Sequence, residues 1–75
     1  MKFYISFSQG TMFDYSGQTI DCHTLLEIND VESFAIAKAI AIKFFNNKWW
    51  TIYTDRNVPF EYFRKIVKYQ HSPPS

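Results

Sequence analysis

A chain of 75 residues has room for one domain and excludes two, and at this size folding removes only roughly 60% of the unfolded surface from water. Eight Phe, five Tyr and two Trp exclude a disordered composition, because each buries on the order of 150–250 Å². The formal net charge of +1 excludes a strongly basic nucleic-acid binder, but it conceals a division. Residues 1–33 hold Lys2 against Asp14, Asp21, Glu27, Asp30 and Glu32, while residues 34–75 hold seven Lys or Arg against Asp55 and Glu61. The two halves either pair across the fold or leave a dipole that steers the molecule toward a charged partner.

FYISFS, residues 3–8, sets Phe3, Ile5 and Phe7 on one side and Tyr4, Ser6 and Ser8 on the other, the period of a half-buried strand. Gln9–Gly10 and Ser16–Gly17 are turn signals around the β-prone TMFDY, so a meander of two or three antiparallel strands follows. Residues 18–28 continue the alternation, with Ile20, Cys22, Thr24, Leu26 and Ile28 toward the core and Asp21, His23, Leu25 and Glu27 on the other face. Asn29 with Glu32 three positions later resembles a capping box and predicts a helix starting close to residue 30.

FAIAKAIAIKFF, residues 34–45, alternates like a strand, yet alanine at 35, 37, 39 and 41 is the best helix former and is depleted in strands, which decides for a helix. At about 100° per residue, Phe34, Ala37, Ala41, Phe44 and Phe45 form the arc that packs on the sheet. Ile36 and Ile40 fall on the far side. KWWTIYTD returns to a strand, with Trp50, Ile52 and Thr54 on one face and Trp49, Thr51 and Tyr53 on the other; between parallel neighbours the helix would make a right-handed crossover. Pro59 opens a second helix to about Tyr69, with Phe60, Phe63, Ile66 and Val67 as its apolar stripe and Arg64, Lys65 and Lys68 on its solvent side. The prediction is an α+β domain over residues 1–69, a small three- to four-stranded sheet with two helices in the order ββ(β)αβα, followed by a mobile tail at 70–75.

Cys22 is the only cysteine, which excludes an internal disulfide and a thiolate zinc site and fits a reducing, cytoplasmic compartment. MKFYISFSQG turns polar by Ser6, too early for the apolar stretch of a signal peptide, and no run approaches the roughly 20 residues of a membrane span. Asp21, Cys22 and His23 stand together, but in a strand Cys22 points away from both neighbours, and two ligands are too few for a metal. Gly10 and Gly17 are isolated turn residues, not a phosphate loop. No catalytic residue, metal or cofactor is assigned, and a binding protein is expected in place of an enzyme.

Arg56, Arg64, Lys65 and Lys68 beside Tyr62 and Tyr69 combine cations with stacking rings, as single-strand binders do; the plainer reading is a solvated helix face. Protein recognition has more support. Ile36 and Ile40 on the helix, one of Trp49 and Trp50, and Leu25 and Tyr53 on the outer sheet face would leave apolar groups within a polar rim, unless the second helix or an unrecognised strand covers them. The candidate partner-binding residues are Asp14, Tyr15, Asp21, His23, Glu27, Ile36, Ile40, Arg56, Tyr62, Arg64, Lys65 and Lys68, on a monomer or a homodimer.

In organisation, a short domain opening on the strand MKFYI, followed by a strand pair, the Ala-rich helix DVESFAIAKAIAIKFF and the return strand WWTIYTD, the chain resembles the small phage-encoded inhibitors of bacterial defence, the type I anti-CRISPR proteins in particular. The resemblance spans residues 1–69 and implies a non-enzymatic protein in the host bacterial cytoplasm. Such a protein docks on a CRISPR-Cas effector or other defence complex and blocks its nucleic-acid binding or nuclease recruitment. Those inhibitors share no sequence signature, so no residue role is carried over. On this reading Asp14, Asp21, Glu27, Asp30 and Glu32 mimic phosphates against a basic channel. The alternatives are a small nucleic-acid-binding regulator using the basic second helix, and a homodimeric interaction module.

Overall fold

The computed structural model describes residues 2–15 and 17–69; the tail expected at 70–75 lies outside the described residues. Along the chain run β1 (Phe3–Phe7), β2 (Met12–Tyr15), β3 (Gln18–Asp21), β4 (Thr24–Ile28), α1 (Phe34–Phe45), β5 (Trp49–Thr54), a 3-10 turn (Phe60–Tyr62) and β6 (Lys65–Lys68). The fold is α+β, with one α-helix among the described residues where two were expected.

The opening strand FYISF becomes the middle of the main sheet. β1 pairs antiparallel with β4, placing Tyr4 opposite Glu27 and Ile5 opposite Leu26, and antiparallel with β5, placing Tyr4 opposite Tyr53 and Ile5 opposite Ile52. β6 adds to β4 in parallel, and the order is β5-β1-β4-β6. Only β1 runs against the other three. α1 therefore joins two parallel strands that are not neighbours, since β1 lies between them. β2 and β3 form a separate hairpin, with Tyr15 opposite Gln18 across a two-residue connection. Gly17 there takes φ 80°, a value that tight hairpins require and side chains resist.

One face of the sheet carries the main core. Phe3, Ile5, Phe7, Leu26, Ile28 and Val67 are buried beneath Ala37, Ala41 and Phe45 of α1 and Ile20 of the hairpin. The alanines bring the helix backbone close, as their small size predicts. Phe45 is the hub: its ring lies 5.3 Å from Phe7, 5.7 Å from Phe13 and 5.9 Å from Tyr15, so it ties sheet, helix and hairpin together. Each such aromatic pair contributes about 0.5–1.5 kcal/mol beyond its burial.

The helix boundaries differ from expectation. Ser33, extended at φ −154°, is the N-cap, and its hydroxyl accepts from the Ile36 N–H at 3.4 Å; Asp30, at φ 59°, instead occupies the turn leading out of β4. Phe34 and Phe44 sit at the ends of the predicted arc and remain half exposed, leaning on Phe3 at 6.1 Å and Tyr69 at 5.9 Å. Ile40 packs against the main core, contrary to its predicted outward position, whereas Ile36 does face out at 41% exposure.

The predicted second helix is a 3-10 turn followed by a strand. Its stripe of Phe60, Phe63, Ile66 and Val67 fits helical spacing, but β4 would otherwise leave its outer row of backbone groups unpaired next to the core. β6 pairs them, placing Ile66 beside Leu25 and Val67 beside Leu26. The demand to satisfy a buried backbone outweighs local periodicity, and β-branched Ile66 and Val67 suit the strand. Lys65 and Lys68 flank it and discourage further pairing at this edge. Likewise residues 18–28 are two strands, divided by a turn at Cys22–His23. Among the described residues no helix is long and apolar enough to cross a membrane.

Candidate binding groove

The second face of the sheet is covered thinly. Tyr4 and Leu25 are buried with Val58, and Tyr53 and Phe63 pack half-buried against them; Phe60 meets the Tyr4 ring edge-on at 5.2 Å. Val58, Phe60 and Phe63 all come from the connection between β5 and β6, which must cross from one sheet edge to the other. Leu25, expected on an outer face, is thus fully covered. Where this cover ends lies a groove of about 450 Å³ lined by Phe7, Gln9, Cys22, His23, Trp50, Tyr62 and Phe63.

Three local devices shape it. The first is a β-bulge: Ile5 pairs with Ile52 but Phe7 pairs with Trp49, so Trp50 and Thr51 together oppose Ser6. A bulge twists its strand and re-aims a side chain. Ser6, itself buried, stabilises it, accepting from the Thr51 N–H at 3.2 Å and donating to the Thr51 carbonyl at 3.1 Å. The consequence reverses the predicted alternation, because Trp49 joins Ile52 against the main core while Trp50 lines the groove at 70% exposure.

The second device is the turn between β3 and β4. The Asp21 carboxylate accepts from the His23 N–H at 2.8 Å and from the Thr24 hydroxyl at 2.9 Å. The His23 N–H is the main cause holding its carboxyl below the ordinary value of 3.8, with Thr24, His23 and Lys65 adding to it against a desolvation cost. Asp21 is therefore a turn residue. Its carboxylate engages backbone and a hydroxyl, which orders Cys22 and His23 at the groove lip.

The third device is the 3-10 turn. Tyr62 N–H donates to the Pro59 carbonyl at 3.0 Å, Phe63 N–H to Phe60 at 3.1 Å, and Arg64 N–H to the His23 carbonyl at 2.8 Å. This last bond latches the start of β6 to the β3–β4 turn, so His23 and Tyr62 border one groove. Tyr62 is 72% exposed. The groove is apolar and aromatic, with the Gln9 amide and the His23 imidazole supplying hydrogen-bonding groups. Among the described residues no three His, Cys, Asp or Glu gather where they could hold a metal ion.

Of the residues named from sequence, the structure brings His23 and Tyr62 together here, with Arg64 tied to His23 through its backbone. The others scatter. Glu27 is buried, accepting from the Tyr4 hydroxyl at 3.2 Å and meeting the Lys2 ammonium at 3.5 Å; burial, then the Glu27 charge and hydrogen bond, raise the Tyr4 phenol above its ordinary value. Asp14 is exposed on the hairpin and accepts from Thr19 at 3.4 Å, while Tyr15 packs with Phe45 and Tyr69. Of the five acids, Asp21 and Glu27 are engaged internally, while Asp14, Asp30 and Glu32 are exposed. Arg56 borders a separate depression of about 420 Å³ with Lys2, Thr54 and Asp55. Lys65 and Lys68 sit on β6, and strand alternation turns them to opposite faces. Phe7, Gln9, Cys22, Trp50 and Phe63 complete the groove without having been named as site residues; the adjacent pair Trp49–Trp50 was the one legible signal, since neighbouring residues of a strand point to opposite faces and one indole had to face away from the core.

Compared with known proteins, the chain matches no family model, no curated protein and no solved structure. Any functional reading therefore rests on the groove's own chemistry and on the sequence resemblance.

Proposed function

We propose that this chain is a non-enzymatic binding protein that docks on a protein partner through the groove, with Trp50 and Tyr62 as its anchors. The observation that carries this reading is that two large rings, 70% and 72% exposed, border one groove and are held there by backbone devices. Trp and Tyr are the residue types that dominate binding energy when a partner buries them, each worth about 2 kcal/mol or more on truncation. The apolar floor and the polar groups at Gln9 and His23 match the centre and rim of such a contact.

The resemblance in organisation supplies the partner class: a CRISPR-Cas effector or another bacterial defence complex, blocked stoichiometrically in nucleic-acid binding or nuclease recruitment. The nucleic-acid alternative loses its support, since the basic helix face it required is a strand with its lysines on opposite sides. The test is target-DNA cleavage by purified effector complexes with added protein. Wild type should co-elute with its target and abolish cleavage, and Trp50→Ala with Tyr62→Ala should weaken inhibition at least about 30-fold, the equivalent of 2 kcal/mol. Absence of co-elution and inhibition across effector types would remove the partner class; binding untouched by the double variant would remove the groove.

A further inference from the structure

The helix α1 carries an apolar surface that the fold does not use. Lys38 and Lys43 are its only charged residues, and a helix apolar nearly all round is normally covered on every side. Here Ala37, Ala41 and Phe45 are buried, but Ala35, Ile36, Ala39 and Ile42 are exposed. Ala35 and Ile36, then Ala39, then Lys43 follow one another at three- and four-residue spacing, so they form a single outward row. Glu32 lies just ahead of that row, before the Ser33 cap.

We infer that this face is the interface of a two-fold homodimer in which α1 packs antiparallel against α1 of a second copy. Charge selects the occupant. The row has an acid at its start and a base at its end, so an antiparallel pair centred between residues 37 and 38 sets Lys43 against Glu32 of the second copy, and symmetry repeats the contact. The same centre sets Ile36 against Ala39, an interlocking of large against small, and the alanines allow close approach of the axes. Neither charge is otherwise engaged by a salt bridge among the described residues, where Lys2–Glu27 is the ion pair formed; the Lys43 ammonium rests over its own Phe44 ring at 5.4 Å. A parallel pair would oppose like charges. No residue of α1 lines the groove, so a dimer presents two grooves at once, and the inference stands independently of what the groove binds.

Sedimentation equilibrium over a wide concentration range tests it. The wild-type mass should rise from monomer to dimer, since one pair of three-turn helices is a small interface. Ala39→Glu, an exposed and helix-compatible change, should leave a monomer with unchanged far-ultraviolet dichroism. Lys43→Glu should weaken the dimer, and adding Glu32→Lys should restore it. A monomer mass at every concentration would overturn the inference while leaving the groove untouched. A dimer indifferent to Ala39→Glu would also overturn it, as would a charge-swapped pair that fails to recover. Should Ala39→Glu not fold, the charge swap decides alone.

Discussion

The two faces of the sheet are built differently. One is sealed by a helix and a hairpin that meet around Phe45, with Phe3, Ile5, Phe7, Leu26 and Ile28 beneath them. The other is crossed by a single connection whose Val58 and Phe63 cover Tyr4 and Leu25 but leave Trp50, and Tyr62 of the connection itself, exposed. A 75-residue chain has little surplus stability, and concentrating its apolar burial on one face leaves the other able to expose large rings. Truncations on the first face should therefore unfold the protein, whereas truncation of the exposed groove rings Trp50 and Tyr62 should spare the fold and remove recognition.

The largest effect is expected at the hub. Phe45→Ala removes contacts to three elements and should cost about 3–5 kcal/mol, enough to abolish a cooperative urea transition; a variant that unfolds normally would break the contrast between faces. Next comes Ser6→Ala. It strips both bonds from Thr51 at the bulge, and leaving those partly buried backbone groups unsatisfied should cost about 1 kcal/mol. It should also re-aim Trp50, so the Trp emission and its acrylamide quenching should shift along with the urea midpoint.

Smaller effects follow pH. Asp21 has its folded pKa lowered, so its contribution is present above the ordinary 3.8 and is lost as the pH falls through the folded value. Tyr4 has its folded pKa raised, so its contribution is present below the ordinary 10.0 and is lost as the pH rises through the folded value. Thermal melts of Asp21→Asn should lose part of the acid limb, and those of Tyr4→Phe part of the alkaline limb; profiles that overlay wild type would show that the turn and the Tyr4–Glu27 bond carry no stability. Because Asp21 holds the groove lip and Tyr4 the covered part of the second face, the two limbs report on that face from its two ends.

Much of this division is legible in the sequence where a property is local. The period of FYISF, the alanines of FAIAKAIAIKFF, the glycines at 10 and 17 and the aromatic return strand each declare an element by themselves. What is not legible depends on distant partners. β6 is a strand because β4 needs a neighbour, and residues 18–28 divide because Asp21 folds back on His23 and Thr24. The site follows the same rule. Tyr62 and His23 are recognisable as candidates, yet a helix face and a strand face cannot foretell that the Arg64–His23 bond sets them around one groove. Trp50 reaches it only because Ser6, 44 positions earlier in the chain, holds the bulge open.

The smallest stability effect carries the most weight, because the account asks the groove rings to do nothing for the fold. Urea unfolding of the Trp50→Ala, Tyr62→Ala double variant is the direct test. Exposed side chains away from structural features change stability by no more than about 0.5 kcal/mol each, so the transition should keep its slope and lie close to the wild-type midpoint. A loss approaching that of Phe45→Ala would show that the rings belong to the core and contradict the separation of the two faces.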